Sequence, residues 1–484
     1  MAVLEPWEAI AARKKQERDS KIPPQWRIPS SLLPSLDVLD VHDFPKTDRE
    51  LLITESTAST VVSKIASGEW TALEVTEARD GKTIGPLHGL LISLKVRLGS
   101  TIGYVSYAEK PATSDSTLVT VLVQAGAILY VKTNVPATLM MGESVNNVFG
   151  RTKNPRNREL TSSGSSSGES CLVSFRESFM GIGTDIGGSI RNPSSFTELT
   201  AIQPSHSQVS YQNAVNTYLG QEVMRSCAGP MCRSVSDVRL FMSAVASQSP
   251  WLLDPQTLPI PWRSDAEKLP EKLCFGFGMG DGTVMPTPPL MRAMEIAKAK
   301  LIAAGHSFID FIPSEHIEAA DIISKMWEAD SGEEFQRDTD VSVFDTWQNR
   351  HKRALLAQRW LEKWQATASE TGTGRPIDGL IMPSIPFPAA RHDAGYPHHW
   401  GALSPLLDLT TGVFPVTQVD LKKDVIPSDW EPISETDGKV WKCYGKPKNH
   451  ENALVGLTVI GRILEEEKVT AMLDVITKAL GIDY

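Results

Sequence analysis

Short apolar runs alternate with helix-like segments along this chain, and that alternation limits its fold more than any other feature. In PLHGLLISLK the run Leu90–Leu94 predicts a strand ending on Lys95. Thr117–Gln124 then reads as a helix stopped at Gly126, and Ala127–Lys132 as a buried strand closed by Asn134 and Pro136. Further on, Leu273–Gly278 predicts a strand, followed by a helix over Pro289–Ala304 that Gly305 ends. Leu380–Met382 predicts another strand. A closing helix over Glu465–Leu480 spaces Val469, Met472, Leu473, Val475, Ile476 and Leu480 along one face. Alternation of this kind predicts an α/β layered architecture. Upstream, an amphipathic helix is expected around Pro6–Lys15, a proline-rich surface wrap over Ile22–Pro34, and a helix over Thr57–Ser67 ahead of Glu69–Ala78. No internal repeat is present.

Composition removes several functions. The 484 residues carry a net charge of −10, with no basic stripe to neutralise phosphates, so nucleic-acid binding is not expected. Five cysteines without a C-x-x-C pair point away from a disulfide framework and a zinc ribbon, and towards small buried thiols in a reducing compartment. The N-terminal segment lacks the apolar core of a signal peptide, and no apolar run approaches the roughly 20 residues of a membrane span. The expected location is cytoplasmic, without membrane attachment.

Nucleotide and zinc motifs fail on single residues. GIGTDIGGS has Ile186 where a dinucleotide fingerprint needs its third glycine. The GKT at Gly81–Thr83 would need glycine where Thr76 stands, and the ten histidines include no H-E-x-x-H. Gly164–Gly168 does satisfy G-x-S-x-G, which would make Ser166 the nucleophile of an α/β-hydrolase elbow. That elbow needs a buried strand before it, whereas NPRNRELTS is polar and turn-rich.

The stronger feature pairs the Ser/Gly-rich segment Thr161–Glu169 with GIGTDIGGSIRNP, Gly181–Pro193. Composition alone would make the first segment a flexible linker, but closely flanking apolar segments favour a site loop. Gly187 and Gly188 permit a tight turn whose N–H groups face one concavity able to hold an oxyanion. Ser189 follows at once. Its hydroxyl is too weakly acidic to attack an amide without a base, and no histidine is near in sequence. On the residues alone, Lys95 is either a solvated lysine at a strand end or a buried amine of lowered proton affinity.

In their order and spacing, GPLHGLLISLK, TSSGSSSGE and GIGTDIGGSIRNP resemble the amidase-signature enzymes. WEAIAARKKQERDSKIPPQW, VPATLMMGESVNNVFGRTKNPRN, GPMCRSVSDVRLF and RHD (Arg391–Asp393) are similar to fungal acetamidase-like amidases, and the similarity runs nearly end to end. The resemblance implies one α/β/α sandwich domain over 1–484 with a central mixed twisted sheet. Residues 1–60 would form a helical wrap, 84–210 the signature core, and 211–484 the remaining sheet and covering helices. It implies a Ser–cisSer–Lys triad: Ser189 as nucleophile, Ser165 after a cis peptide as proton relay, and Lys95 as base. The N–H groups of Ile186, Gly187, Gly188 and Ser189 would form the oxyanion hole, with Ser166, Thr184, Asp185 and Arg191 in support. The implied reaction is hydrolysis of a small-molecule carboxylic amide through an acyl-enzyme, without metal or organic cofactor. Homodimers are common in the family.

Several residues depart from the family pattern. Ser163, Ser167 and Ser170 stand where glycine is usual, Val96 where aspartate usually follows the lysine, and Ala201 where glycine usually ends the motif. The connection Glu74–Gly89 and the segment near Gln336–Val343 are short for the family. These changes keep two other outcomes open: a weak or inactive amidase-fold protein, or an enzyme for hydrolysis or acyl transfer on a specialised metabolite.

Overall fold

The computed structural model describes residues 5–24, 27, 29, 36–39, 47–72, 85–95, 101–108, 110, 114–218, 220–328, 342–395 and 400–482. Twelve strands are described: β1 (Leu91–Leu94), β2 (Ile128–Lys132), β3 (Val145–Asn146), β4 (Gly150–Arg151), β5 (Met180–Asp185), β6 (Thr200–Gln203), β7 (Cys227–Cys232), β8 (Cys274–Phe277), β9 (Ser307–Asp310), β10 (Gly379–Met382), β11 (Thr411–Gln418) and β12 (Leu454–Ile460). All but the small β3–β4 hairpin join one ten-stranded sheet, in the order β2-β1-β5-β7-β6-β11-β12-β10-β8-β9. The strands at both edges run parallel to their neighbours, while the central pairs from β5 to β10 are antiparallel, so the sheet is mixed.

Helices cover both faces, as expected for an α/β/α sandwich. Along β12, Val459 lies beside Met472 of the closing helix Glu466–Leu480, whereas Gly456, three residues earlier and on the opposite face, abuts Ser195 of the short helix Arg191–Ser195. Glu466–Leu480 packs with helices Val235–Ser247 and Pro288–Ala303 over the first face. The second face carries Arg191–Ser195 and helix Ser167–Ser174, against β5 to β7, β11 and β12. That second face holds the candidate residues.

Local chemistry explains several helix boundaries. Ser116 caps Thr117–Gln124 by accepting from the Val119 N–H, and Ser234 caps Val235–Ser247 through the Asp237 N–H. Gly305 and Gly481 take positive φ just past their helices, as the stop signals require.

Three expectations need correction. Ala127–Lys132 was expected to be buried, yet β2 is an outermost strand with Tyr130 and Val131 exposed. Its apolar, β-branched composition reports strand preference and not its place in the sheet. The first helix runs Trp7–Ser20, and of its residues only Ala11 is buried. The apolar residues are confined to its first half, so it lacks a continuous apolar face. Among the cysteines, Cys227, Cys232 and Cys274 are buried and none of the five is in a disulfide, but Cys443 is exposed. Most of the wrap at Ile22–Pro34 and most of each shortened segment lie outside the described residues, as does Val96. No helix among the described residues is long and apolar enough to cross a membrane.

Close strand packing sets one residue choice. Gly229 of β7 pairs with Gly183 of β5, and a Cβ on Gly229 would lie 2.3 Å from the Ile202 carbonyl oxygen. That atom is backbone and cannot swing aside. Gly229→Ala is expected to lower stability by about 1–3 kcal/mol, measured as a reduced thermal midpoint; an unchanged midpoint would show that the sheet yields freely there.

Candidate active site

Three neighbouring segments meet at the end of β1. Lys95 continues that strand, its N–H donating to the Ile182 carbonyl of β5 at 3.1 Å. The side chain is 1% exposed. Its Nζ lies 2.6 Å from Ser165 Oγ, 2.7 Å from Thr184 Oγ1 and 3.2 Å from the Thr184 carbonyl oxygen. Burial penalises the ammonium form and brings the Lys95 pKa down to about 7, although the carboxylates of Asp185 and Glu169 pull the other way. Lys95 is therefore the buried amine of the two sequence readings.

The serine-rich segment is an ordered loop leading into a helix. The Thr161 N–H donates to the Ala390 carbonyl, and the Ser163 N–H to Thr161 Oγ1. The Gly164–Ser165 peptide is cis. The Ser165 carbonyl accepts from Ser144 Oγ at 3.2 Å. Of the three serines standing where glycine is usual, Ser167 and Ser170 sit in helix Ser167–Ser174, where serine fits. Ser163 alone takes a left-handed φ of 64°, a conformation that costs a residue with a Cβ roughly 1–2 kcal/mol. Ala201 lies within β6 and needs no special backbone.

Ser166 does not form a nucleophile elbow. No strand runs directly into it, and its hydroxyl is buried, accepting the Thr184 N–H and donating to the Thr184 carbonyl, each at 3.2 Å. It thus braces the residue that holds Lys95 and does not touch the lysine. Its own N–H donates to the Ser189 carbonyl at 3.3 Å, tying the serine loop to the glycine turn.

That turn is built on Asp185. Its carboxylate accepts from the N–H groups of Gly188 at 2.7 Å, Ile190 at 2.9 Å and Arg191 at 3.3 Å. The Arg191 guanidinium meets both oxygens at 3.1 Å and also donates to the Gly401 carbonyl at 2.9 Å. Burial alone would raise the Asp185 carboxyl, but Arg191 and the N–H donors hold it below the usual range. One expectation changes here: the Gly188 N–H, expected in the oxyanion hole, serves the Asp185 carboxylate. Gly188 itself needs its φ of 121°. The N–H groups of Ile186, Gly187 and Ser189 have no acceptor among the described residues. Ile186, Gly187 and Ser189 are partly exposed. The Trp327 indole stands 4.0 Å from where a Cβ on Gly187 would sit.

The geometry therefore brings together Lys95, Ser165, Thr184 and Ser166, with the Ser189 turn alongside. No hydrogen bond joins the Ser165 and Ser189 hydroxyls among the described residues. Sequence reasoning missed Ser144, Gly401 and the buried carboxyl of Glu169. Only Glu169 carried a signal, as an acidic residue in the first turn of a helix flanked by apolar segments. Among the described residues, no group of three His, Cys, Asp or Glu side chains is arranged to hold a metal ion.

A ten-stranded mixed sheet flanked by helices on both faces is the fold of the amidase-signature enzymes among solved structures. The chain superposes on the solved structure of fatty acid amide hydrolase with a TM-score of 0.91, at 27% identity over 99% of this chain and 96% of that one. The sequence model of the family described as Amidase matches residues 47–366, and the chain belongs to that family. It is 54% identical to the Curvularia clavata protein kk1C, whose name places it among the amidases, over 99% of both chains. It is 35% identical to the acetamidase of Emericella nidulans over 98% of both. Each alignment runs past 540 positions whereas this chain has 484, so these relatives carry segments without a counterpart here, in keeping with the shortened connections.

With Arg191 2% and Asp185 0% exposed, removing one partner strands the other charge. Arg191→Met is expected to lower unfolding free energy by about 3–5 kcal/mol, read from urea denaturation. A loss below about 1 kcal/mol, the value of a surface pair, would mean that the turn does not depend on this ion pair.

Proposed function

We propose that this protein hydrolyses a small-molecule carboxylic amide to the carboxylate and ammonia or an amine, with Ser189 as nucleophile, Ser165 as relay and Lys95 as base. The observation that carries this is the fully buried Lys95 amine 2.6 Å from Ser165 Oγ. An amine with a pKa near 7 is neutral in about half of the molecules at neutral pH and can take up a proton, which an ordinary surface lysine cannot do there.

In the proposed sequence Ser189 Oγ attacks the amide carbon while its proton passes to Ser165, whose own proton passes to Lys95. The negative charge on the former carbonyl oxygen is met by the free N–H groups of Ile186, Gly187 and Ser189. Lys95 then returns the proton through Ser165 to the leaving nitrogen, and the C–N bond breaks. Water, deprotonated along the same route, attacks the acyl-enzyme; the bond from the acyl carbon to Ser189 Oγ then breaks, that oxygen regains the proton through Ser165, and the carboxylate leaves. The Ser165–Ser189 contact is open here, as catalytic hydrogen bonds commonly are before substrate binds. Thr184 and Ser166 hold the amine end in place, and Asp185 with Arg191 holds the turn.

Support for amide substrates comes from the family and from relatives named acetamidase. Release of ammonia from acetamide and longer aliphatic amides by the purified protein tests the proposal. A fluorophosphonate probe is expected to label the wild type and not Ser189→Ala. An unlabelled wild type would favour an inactive member, consistent with the strain at Ser163. Lys95→Ala is expected to slow labelling by about 10²–10⁴-fold; wild-type labelling would remove the lysine from the mechanism. Because Lys95 accepts a proton only when neutral, the rate should rise with pH through about 7, and a rate falling over that interval would contradict a lysine base.

A further inference from the structure

Beneath the site lies a carboxyl that the proposed mechanism does not use. Glu169, in the first turn of helix Ser167–Ser174, is 0% exposed. Its Oε2 accepts from Ser93 Oγ at 2.5 Å and its Oε1 from Thr133 Oγ1. Ser93 precedes Lys95 by two positions, which places both on one side of the strand. Thr133 directly follows β2. At Gly181, β5 passes so close that a Cβ would lie 2.7 Å from Glu169 Oε2. One carboxyl thus gathers β1, the end of β2 and β5 against the helix that begins next to Ser165.

Glu169 is also the acidic group near Lys95 whose charge is least matched. Asp185 acts on Lys95 as well, but its charge is taken up by Arg191 in a two-point contact. Glu169 has no ion-pair partner among the described residues. The other titratable groups facing this region are Lys132 and Tyr130 of β2, both of which feel the Glu169 charge, and Cys227 of β7, whose charge would act on Lys95; Tyr211 reaches Thr184. Burial pushes Lys132 down to about 8, and pushes Cys227 and Tyr211 towards their neutral forms.

We propose that Glu169 is a positioning residue of this site: through Ser93 and Thr133 it fixes the strand bearing Lys95 against the helix following Ser165, and its charge sets how tightly Lys95 holds a proton. The inference rests on the lysine-base reading above. It explains why a carboxyl with no access to solvent is kept where an apolar side chain would be easier to bury. Burial lifts the Glu169 carboxyl to about 7, while the charge of Lys95 pulls it down and its own charge raises Lys95.

The pH dependence of fluorophosphonate labelling tests this without a known substrate, comparing wild type, Glu169→Gln and Ser93→Ala, with Ser189→Ala as blank. Gln keeps the shape and removes the negative charge that favours the ammonium, so the midpoint of the rising limb should fall by about one pH unit. Ser93→Ala removes a donor that stabilises the carboxylate and should move the midpoint the same way, by less. A purely structural role would lower stability and leave the midpoint in place. A midpoint unmoved or raised in Glu169→Gln overturns the proposal. If that variant does not fold, as judged by near-ultraviolet circular dichroism, an unmoved midpoint in Ser93→Ala overturns it. An unlabelled wild type, or label retained in Ser189→Ala, refutes the proposed function instead.

Discussion

The placement of one amine organises this molecule. Taking the Lys95 side chain out of water carries a desolvation penalty that could be met by an ion pair or by loss of the proton. Among the described residues no carboxylate touches its Nζ; a serine hydroxyl, a threonine hydroxyl and a carbonyl do. The surroundings therefore favour a neutral amine over a fixed ammonium. Much of the nearby structure keeps those acceptors in place: Ser166 bridges both backbone groups of Thr184, and Ser144 holds the Ser165 carbonyl.

Two buried carboxylates frame this amine and behave differently. Asp185 is saturated, with three N–H donors and a guanidinium, and works as a brace for the turn that carries Ser189. Glu169 accepts from the Ser93 and Thr133 hydroxyls and meets no guanidinium among the described residues, and its carboxyl is held partly in the neutral form. A matched charge gives rigidity; an unmatched one leaves a group responsive to protons. On the proposed mechanism the site needs both, because the donor turn must stay fixed while a proton moves beside it.

Much of this was legible in the sequence where the determinants are local. β1, β8, β10 and the closing helix follow from short apolar runs and stop signals, and Lys95, Ser165 and Ser189 from motifs whose order survives the shortened connections. What the sequence concealed depends on distant partners. Gly401 stands 210 residues from the Arg191 it supports. His392, within the RHD segment noted for its resemblance, pairs with Glu143, 249 residues away, beside the turn that packs on Gly164. The edge position of β2 was hidden for a related reason, since strand composition does not encode sheet order. The Gly188 N–H was misassigned because a glycine pair announces a tight turn without saying which donor faces inward. Ser93 is the instructive case: a polar residue in the run LISL, two positions before the lysine, already marked that face of β1 as polar.

The central claim is that Lys95 is a proton-poor amine at neutral pH. Nuclear magnetic resonance titration of protein labelled with ¹³C at lysine Cε, with Lys95→Met to assign the signal, reads this directly. A Lys95 midpoint near 7 is the expected result. A midpoint at the ordinary value of 10.5 would contradict it, leaving a buried ammonium with no capacity to accept a proton from a serine.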